Sequence, residues 1–270
     1  MAPVITLTTD FGLSDHYVAA VKGSILSVNP LATIVDISHD IRPQDIEQAA
    51  FLLACTYVCF PPGSIHVAIV DPGVGTERRA LALITTECVF VGPDNGVLSA
   101  ALPDRLRQAS PTSSRVSLPD TVRAYSLTDN RFHRKPVSPT FHARDIFAPA
   151  AAHLSLGVAI SDLGPPLPDI IALPPFQAQA AADGSLIGRV IHIDRFGNAI
   201  TTVHADQIDP AAKVEIGGRV ITALIRTYAE AYDLTALIGS CGYLEVAVKG
   251  GSAEKELGIA VGDPVIVGRG

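Results

Sequence analysis

Five prolines fall between Leu163 and Pro175, in the runs Gly164-Pro165-Pro166-Leu167-Pro168 and Leu173-Pro174-Pro175. Each proline fixes φ and lacks a backbone donor, so such a segment does not suit a helix interior or a central strand. It reads as a stiff linker over residues 165–185, and it divides the chain into two parts of different pattern.

The part before it, residues 1–164, alternates strand-like and helix-like segments. Val4–Leu7, Thr33–Ile37 and Ser64–Val70 are short, almost continuous apolar runs, and Leu81–Thr85 and Val89–Val91 follow them. Between them, Asp15 is placed to cap a helix that Asn29-Pro30 stops, and Pro43 to open one that runs to about Val58. Near-continuous apolar strands separated by helices predict an α/β domain with a mostly parallel sheet between helices. In such folds ligands gather at the carboxyl ends of the strands, here the loops after Leu7 and Val70. Arg105–Pro139 is polar and irregular and reads as an excursion. Arg144–Leu156 has helical character, with Pro149 marking a kink or a late start. Beyond the linker, residues 186–270 hold short strand candidates at Ile187–Ile193, Val214–Ile216, Val220–Ile225, Leu244–Val248 and Pro264–Val267. Separated by Gly-rich turns, they predict a small antiparallel, barrel-like β domain.

Composition narrows the partners. A formal net charge of −7 disfavours gripping a phosphate backbone, so no nucleic acid is expected. The four cysteines form no CxxC pair, so neither zinc nor a disulfide framework is expected; Cys55 and Cys59 read as small core residues on one helix face. The longest apolar run, Ala49–Phe60, is too short to span a bilayer. Met1-Ala2-Pro3-Val4 lacks the pattern of a signal peptide, and the expected location is the cytoplasm.

Five motifs carry polar chemistry, and each also has a plain structural explanation. Thr8-Thr9-Asp10-Phe11-Gly12 ends a buried strand; Asp10 can accept from a diol or can cap a turn. In Val70-Asp71-Pro72-Gly73-Val74-Gly75-Thr76-Glu77-Arg78, Asp71 and Arg78 can meet across a Gly-rich loop, as a site or as a structural ion pair. Thr140-Phe141-His142-Ala143-Arg144-Asp145 sets His142 at the start of a helix, with Asp145 placed to cap it. In Asp194-Arg195-Phe196-Gly197-Asn198, Phe196 can stack on a purine, Asn198 can read a base edge and Asp194 can hold an ammonium; a hairpin turn explains the same residues. Gly239-Ser240-Cys241-Gly242-Tyr243-Leu244-Glu245 is a small-residue turn entering a strand.

Taken together and in this order, the motifs resemble the S-adenosylmethionine hydroxide adenosyltransferase family, which is related to the fluorinase and chlorinase enzymes. The resemblance covers nearly the whole chain and is weakest over Arg105–Pro139. It implies a cofactor-free, metal-free hydrolase that attacks ribose C5′ of S-adenosyl-L-methionine with water and releases adenosine and L-methionine. It implies that Asp71, Arg78 and His142 handle the water. By the same resemblance, Asp10 accepts the ribose diol, Asp194 and Ser240 hold the methionine end, and Phe196 and Asn198 lie near the adenine. It further implies a homotrimer with sites at subunit interfaces. Ala143 departs from the family, where Gly is expected in the hydrolases and Ser in the fluorinase. The rivals are a catalytically idle adenosine-binding sensor, a halide-dependent adenosyl transferase and a metal-dependent nucleotidase. The carboxylate of Asp71 repels a halide, and no cluster with metal-ligand spacing occurs in the sequence.

Overall fold

A computed structural model describes residues 3–108, 111–209 and 211–268; the residues Met1-Ala2 of the N-terminal pattern lie outside them. The chain divides into two compact units, Met1–Pro175 and Phe176–Gly270.

The first unit contains strands β1 (Ile5–Thr9), β2 (Ile34–Ser38), β3 (Ile65–Ile69), β4 (Ala80–Ile84), β5 (Val89–Pro93), β6 (Ser114–Ser117), β7 (Arg123–Ser126), β8 (Pro166–Leu167) and β9 (Asp169–Ala172). Its main sheet has the order β2-β1-β3-β5-β4-β7-β8. The run β2-β1-β3-β5 is parallel, but β4, β7 and β8 join antiparallel. The expected mostly parallel sheet is therefore mixed. The short Thr85–Cys88 turn between β4 and β5 leaves no room for a crossover helix, so the chain must double back.

Alternate residues of the strands face opposite layers. Ile5, Leu7, Ile65, Val67 and Ile69 pack with helices α1 (Tyr17–Val28) and α3 (Ala148–Ser155). Ala68, Val70, Leu81, Leu83 and Phe90 pack with α2 (Ile46–Tyr57). Each large apolar side chain so buried contributes about 1.5–3 kcal/mol.

Several local expectations are corrected. Asp15 does not cap α1: the N-cap residue is His16, and it makes no side-chain cap bond. Helix α2 opens at Ile46 rather than Pro43, because Gln44 has φ +67 and breaks the helical run; Asp45 caps it by accepting from Gln48 N. Cys59 lies past the end of α2 and is exposed. Pro149 sits in the first turn of α3, directly after the π-helical turn Ala143–Phe147. The Arg105–Pro139 excursion holds β6 and β7, with 109–110 outside the described residues. Part of the expected linker is sheet: β8 pairs with β7 and β9 with β6. Pro166 is tolerated because β8 is an edge strand.

The second unit contains β10 (Gln179–Ala180), β11 (Leu186–Ile193), β12 (Ala199–His204), β13 (Lys213–Ile216), β14 (Arg219–Ile221), β15 (Leu224–Ile225), β16 (Leu234–Ile238), β17 (Tyr243–Val248), β18 (Pro264–Gly268) and the short helix α4 (Ala253–Leu257). They form one sheet in the order β14-β13-β18-β11-β12-β17-β16-β15, with β10 on β11. It is antiparallel except for the β15–β16 pair, and β14 approaches β16, curling the sheet toward a barrel. Its core is built from Val190, Val203, Val214, Leu244, Val246 and Val265. No helix among the described residues is long and apolar enough to cross a membrane.

Candidate active site

In the first unit, β1 runs into Asp10 and β3 runs through Val70 into Asp71. Thr9 pairs with Ile69 across these parallel neighbours, so both carboxylates leave from adjacent strand ends, where α/β sheets bind ligands. Asp10 and Asp71 line a cleft of about 420 Å³ together with Phe11, Tyr17, Gln44 and the Thr140–Ala143 loop.

The turn after β1 is fixed from below. Thr9 Oγ1 lies 2.8 Å from His39 Nδ1, and Gly12 N donates to the His39 carbonyl at 2.8 Å. Asp10 Oδ2 accepts from Gln44 N at 2.9 Å. Among the described residues, Gln44 is the one non-glycine residue with positive φ. That strained backbone aims its N–H at Asp10, and nothing in the amino-acid pattern foretold it.

Arg78 Nε donates to Asp71 Oδ1 at 2.9 Å and Nη2 to Oδ2 at 2.5 Å. The two side chains are 7% (Asp71) and 11% (Arg78) exposed, so little solvent screens the pair. Arg78 Nη2 also lies 2.9 Å from His142 Nδ1. A guanidinium only donates, so Nδ1 must be the acceptor, and the neutral ring then carries its proton on Nε2. Burial and the Arg78 charge push the His142 pKa below its ordinary value, which favours this neutral form. The guanidinium rests over the Phe147 ring at 5.2 Å.

The loops carrying these groups are locked together. Gly75 has φ +79, and a Cβ there would stand 2.5 Å from the Pro139 carbonyl oxygen, so only glycine lets the two loops pack. Asp145 is fully buried. Rather than capping a helix, it accepts from Ser138 N at 2.9 Å and from Arg144 Nε at 2.7 Å. Burial opposes its charge, but these donors outweigh that and hold its carboxyl below the usual range. Phe11, Tyr17 and Phe141 form an aromatic trio on the cleft wall, with centroids 5.3–6.0 Å apart.

In the second unit, Asp194, Phe196 and Asn198 line a cleft of about 650 Å³ with Tyr228, Thr235 and Ala247–Gly251. Asp194 follows β11 and shapes the turn: its Oδ1 accepts from Phe196 N at 2.8 Å and Asn198 N at 2.9 Å. The turn is held against the start of α4, where Glu254 N donates to the Gly197 carbonyl at 3.0 Å. Phe196 is 75% exposed, so one face of its ring is open to a ligand in this cleft. Ser240 is not brought into this cleft; it lies exposed in the β16–β17 turn. Tyr228 was not singled out from the sequence, and Glu245, the last residue of the fifth motif, was given no role there. Glu245 is buried in β17 and accepts from the Tyr228 hydroxyl. Burial and the charge of Asp194 raise its pKa. An acidic residue within an apolar strand, Tyr243–Val248, was the available signal.

Residues 5–164 match the SAM hydroxide adenosyltransferase N-terminal domain, and residues 188–266 match the C-terminal domain of the same family. An (R)-S-adenosyl-L-methionine hydrolase from Thermus thermophilus is 40% identical, with 98% of this chain and 99% of the relative covered. A fluorinase from an Actinoplanes species is more distant, at 26% identity over 91% of this chain and 90% of its own. The crystal structure of an uncharacterized conserved protein from Thermotoga maritima superposes with a TM-score of 0.85 at 31% identity, covering 98% of this chain and 100% of that one. With both of its domains matched in order, this chain belongs to the SAM hydroxide adenosyltransferase family.

Proposed function

We infer that the protein hydrolyses S-adenosyl-L-methionine at ribose C5′, giving adenosine and L-methionine. The Asp71–Arg78–His142 array at the carboxyl edge of the sheet carries the inference. Water oxygen bonds to C5′ as the C5′–S bond breaks, and the electron pair leaves on sulfur as a neutral thioether, which needs no acid. The protein's task is then to place water in line with that bond and to take its proton. The single lone pair of His142 Nδ1 is taken by Arg78, whereas the Asp71 carboxylate keeps lone pairs beside its bonds to Arg78, so Asp71 is the acceptor for that proton. Arg78 stabilises the hydroxide-like charge, and His142 holds Arg78 from the other side. Asp10 takes the ribose diol. Phe196 and Asn198 take the adenine, and Asp194 takes the methionine end; Ser240, exposed in the β16–β17 turn, is assigned to that end by the family resemblance alone.

The relatives' name specifies the R configuration at sulfur, and we take that epimer as the substrate. Following the family resemblance, we assign a homotrimer in which the second unit of one subunit completes the cleft of another. Among the described residues no cysteine is in a disulfide, which suits a reducing compartment, and we place the protein in the cytoplasm.

The test is incubation of the purified protein with each sulfonium epimer in ¹⁸O-labelled water, with Asp71→Ala as control. Labelled adenosine and methionine from the R epimer, absent in the control, support the assignment. If neither epimer is consumed although both bind, the protein is a sensor and the assignment falls.

A further inference from the structure

The strand that delivers Asp71 runs past its backbone partners. Thr9–Ile69 is the last pair between β1 and β3, and Val67–Val91 is the last between β3 and β5. Val70 comes after both and is 0% exposed. A buried carbonyl at that point needs a donor from elsewhere. Asn95 supplies it: its Nδ2 donates to the Val70 carbonyl at 2.8 Å. Its Oδ1 accepts from Val97 N at 3.1 Å. Turning this amide over would set oxygen against oxygen and N–H against N–H, so the two bonds fix one orientation.

The turn that carries Asn95 is itself anchored. Gly92 lets β5 run close to β3, because a Cβ there would collide with the Ala68 carbonyl oxygen. Asp94 is buried. Its Oδ1 accepts from Ile171 N at 2.7 Å and its Oδ2 from Arg79 Nε at 2.7 Å. Asp94 N donates to the Arg79 carbonyl at 2.9 Å. Arg79 follows Arg78 in the chain, and Val70 precedes Asp71. The Asp94-Asn95 turn therefore holds the immediate chain neighbours of both members of the Asp71–Arg78 pair, one with each side chain.

We propose that Asn95 is a positioning residue for the hydrolysis: by holding the Val70 carbonyl it sets where the Asp71 carboxylate stands against Arg78 and the attacking water. The proposal rests on the role of Asp71 as proton acceptor. Asn95 acts through the Val70–Asp71 backbone, not by contact with the substrate. A misplacement of about 1 Å at a reacting group costs on the order of a hundredfold in rate.

Steady-state assays of methionine release by the full-length protein, with a melting curve on each variant, test this. Asn95→Ala removes both bonds. Its kcat per folded enzyme is expected to fall about ten- to a hundredfold, with little change in KM. Asn95→Asp keeps the acceptor for Val97 N but turns an oxygen toward the Val70 carbonyl, so it should lose at least as much. It also carries the comparison should Asn95→Ala fail to fold. An aspartate variant as active as the wild type would show that Asn95 only shapes its own turn, and that result overturns the proposal. The third arm separates positioning from general damage. In an Asp71→Asn background Asn95→Ala has no carboxylate left to misplace, so its cost should shrink to about twofold or less. An equal loss in both backgrounds would show that Asn95 acts independently of Asp71, and it too overturns the proposal. The wild type reports on hydrolysis itself, so a hydrolysing wild type with a fully active Asn95→Ala variant removes this proposal alone.

Discussion

The two clefts solve different problems with different materials. In the first, the polar side chains are bonded to one another: Asp71 to Arg78, Arg78 to His142, Asp10 to the backbone of Gln44. In the second, the wall is an exposed phenyl ring, an amide and a tyrosine over a buried carboxylate. A network of paired charges resists rearrangement, which suits groups that must meet a transition state in one geometry. A wall of apolar and singly directed polar groups suits recognition of a flat base, where contact area and one hydrogen-bond direction decide affinity. The first cleft is thus expected to govern kcat and the second KM.

The sharpest way to break this division is Asp71→Asn. The amide keeps the size of the side chain but accepts no proton, and a positioned base contributes about 10²–10⁴ in rate. We expect kcat to fall about a thousandfold, with a KM change far smaller, in steady-state assays of methionine release. A loss confined to KM would move Asp71 from chemistry to binding. Melting curves must accompany the assay, because Arg78 loses its charged partner. A smaller effect of opposite kind is expected for Phe196→Ala. The ring is 75% exposed, so the fold loses little, whereas stacking on a base is worth about 1–3 kcal/mol. KM should rise about tenfold or more while kcat falls much less. An equal fall in kcat would mean that the second cleft also shapes the reacting geometry.

Legibility in the sequence followed the same division. The first cleft was visible because its residues follow buried strands: Asp10 and Asp71 stand where apolar runs stop, and parallel strands bring such ends together. That Asp71, Arg78 and His142 meet was implied by the family resemblance, and the spacing alone left a structural ion pair equally open. The edge strands β7 and β8 of the main sheet, and the separate β6–β9 pair, were not legible, because they are short, polar or proline-bearing, and such strands exist only through their neighbours. Strands β12 (Ala199–His204) and β16 (Leu234–Ile238) also escaped notice, hidden beside turns whose glycines dominated the local pattern. The burial of Glu245 escaped for a related reason. One carboxylate inside an apolar strand reads as a solvent-facing position until the sheet shows which way it points. The configuration at sulfur leaves no trace in residue types, because the two epimers carry the same charge and the same groups.

Gln44 is the hardest test of how the first cleft is held. Its φ of +67 places a side chain in the left-handed region, at a cost of about 1–2 kcal/mol relative to right-handed geometry. If the strain exists to aim N–H at Asp10, the backbone matters and the side chain does not. Gln44→Gly keeps the N–H and removes the Cβ penalty, while gaining freedom in the unfolded chain worth about 0.5–1 kcal/mol. The two terms nearly cancel, so the melting temperature should stay close to that of the wild type. Gln44→Val instead places a β-branched residue at positive φ, and it should lose more than about 1 kcal/mol in denaturant titration. The expected order of stability is Gly equal to or above Gln, and Val lowest. A glycine variant that is much less stable than wild type would show that the Gln44 side chain, not its backbone, holds the turn. The bond from Gln44 N to Asp10 would then be a consequence of that packing rather than its purpose.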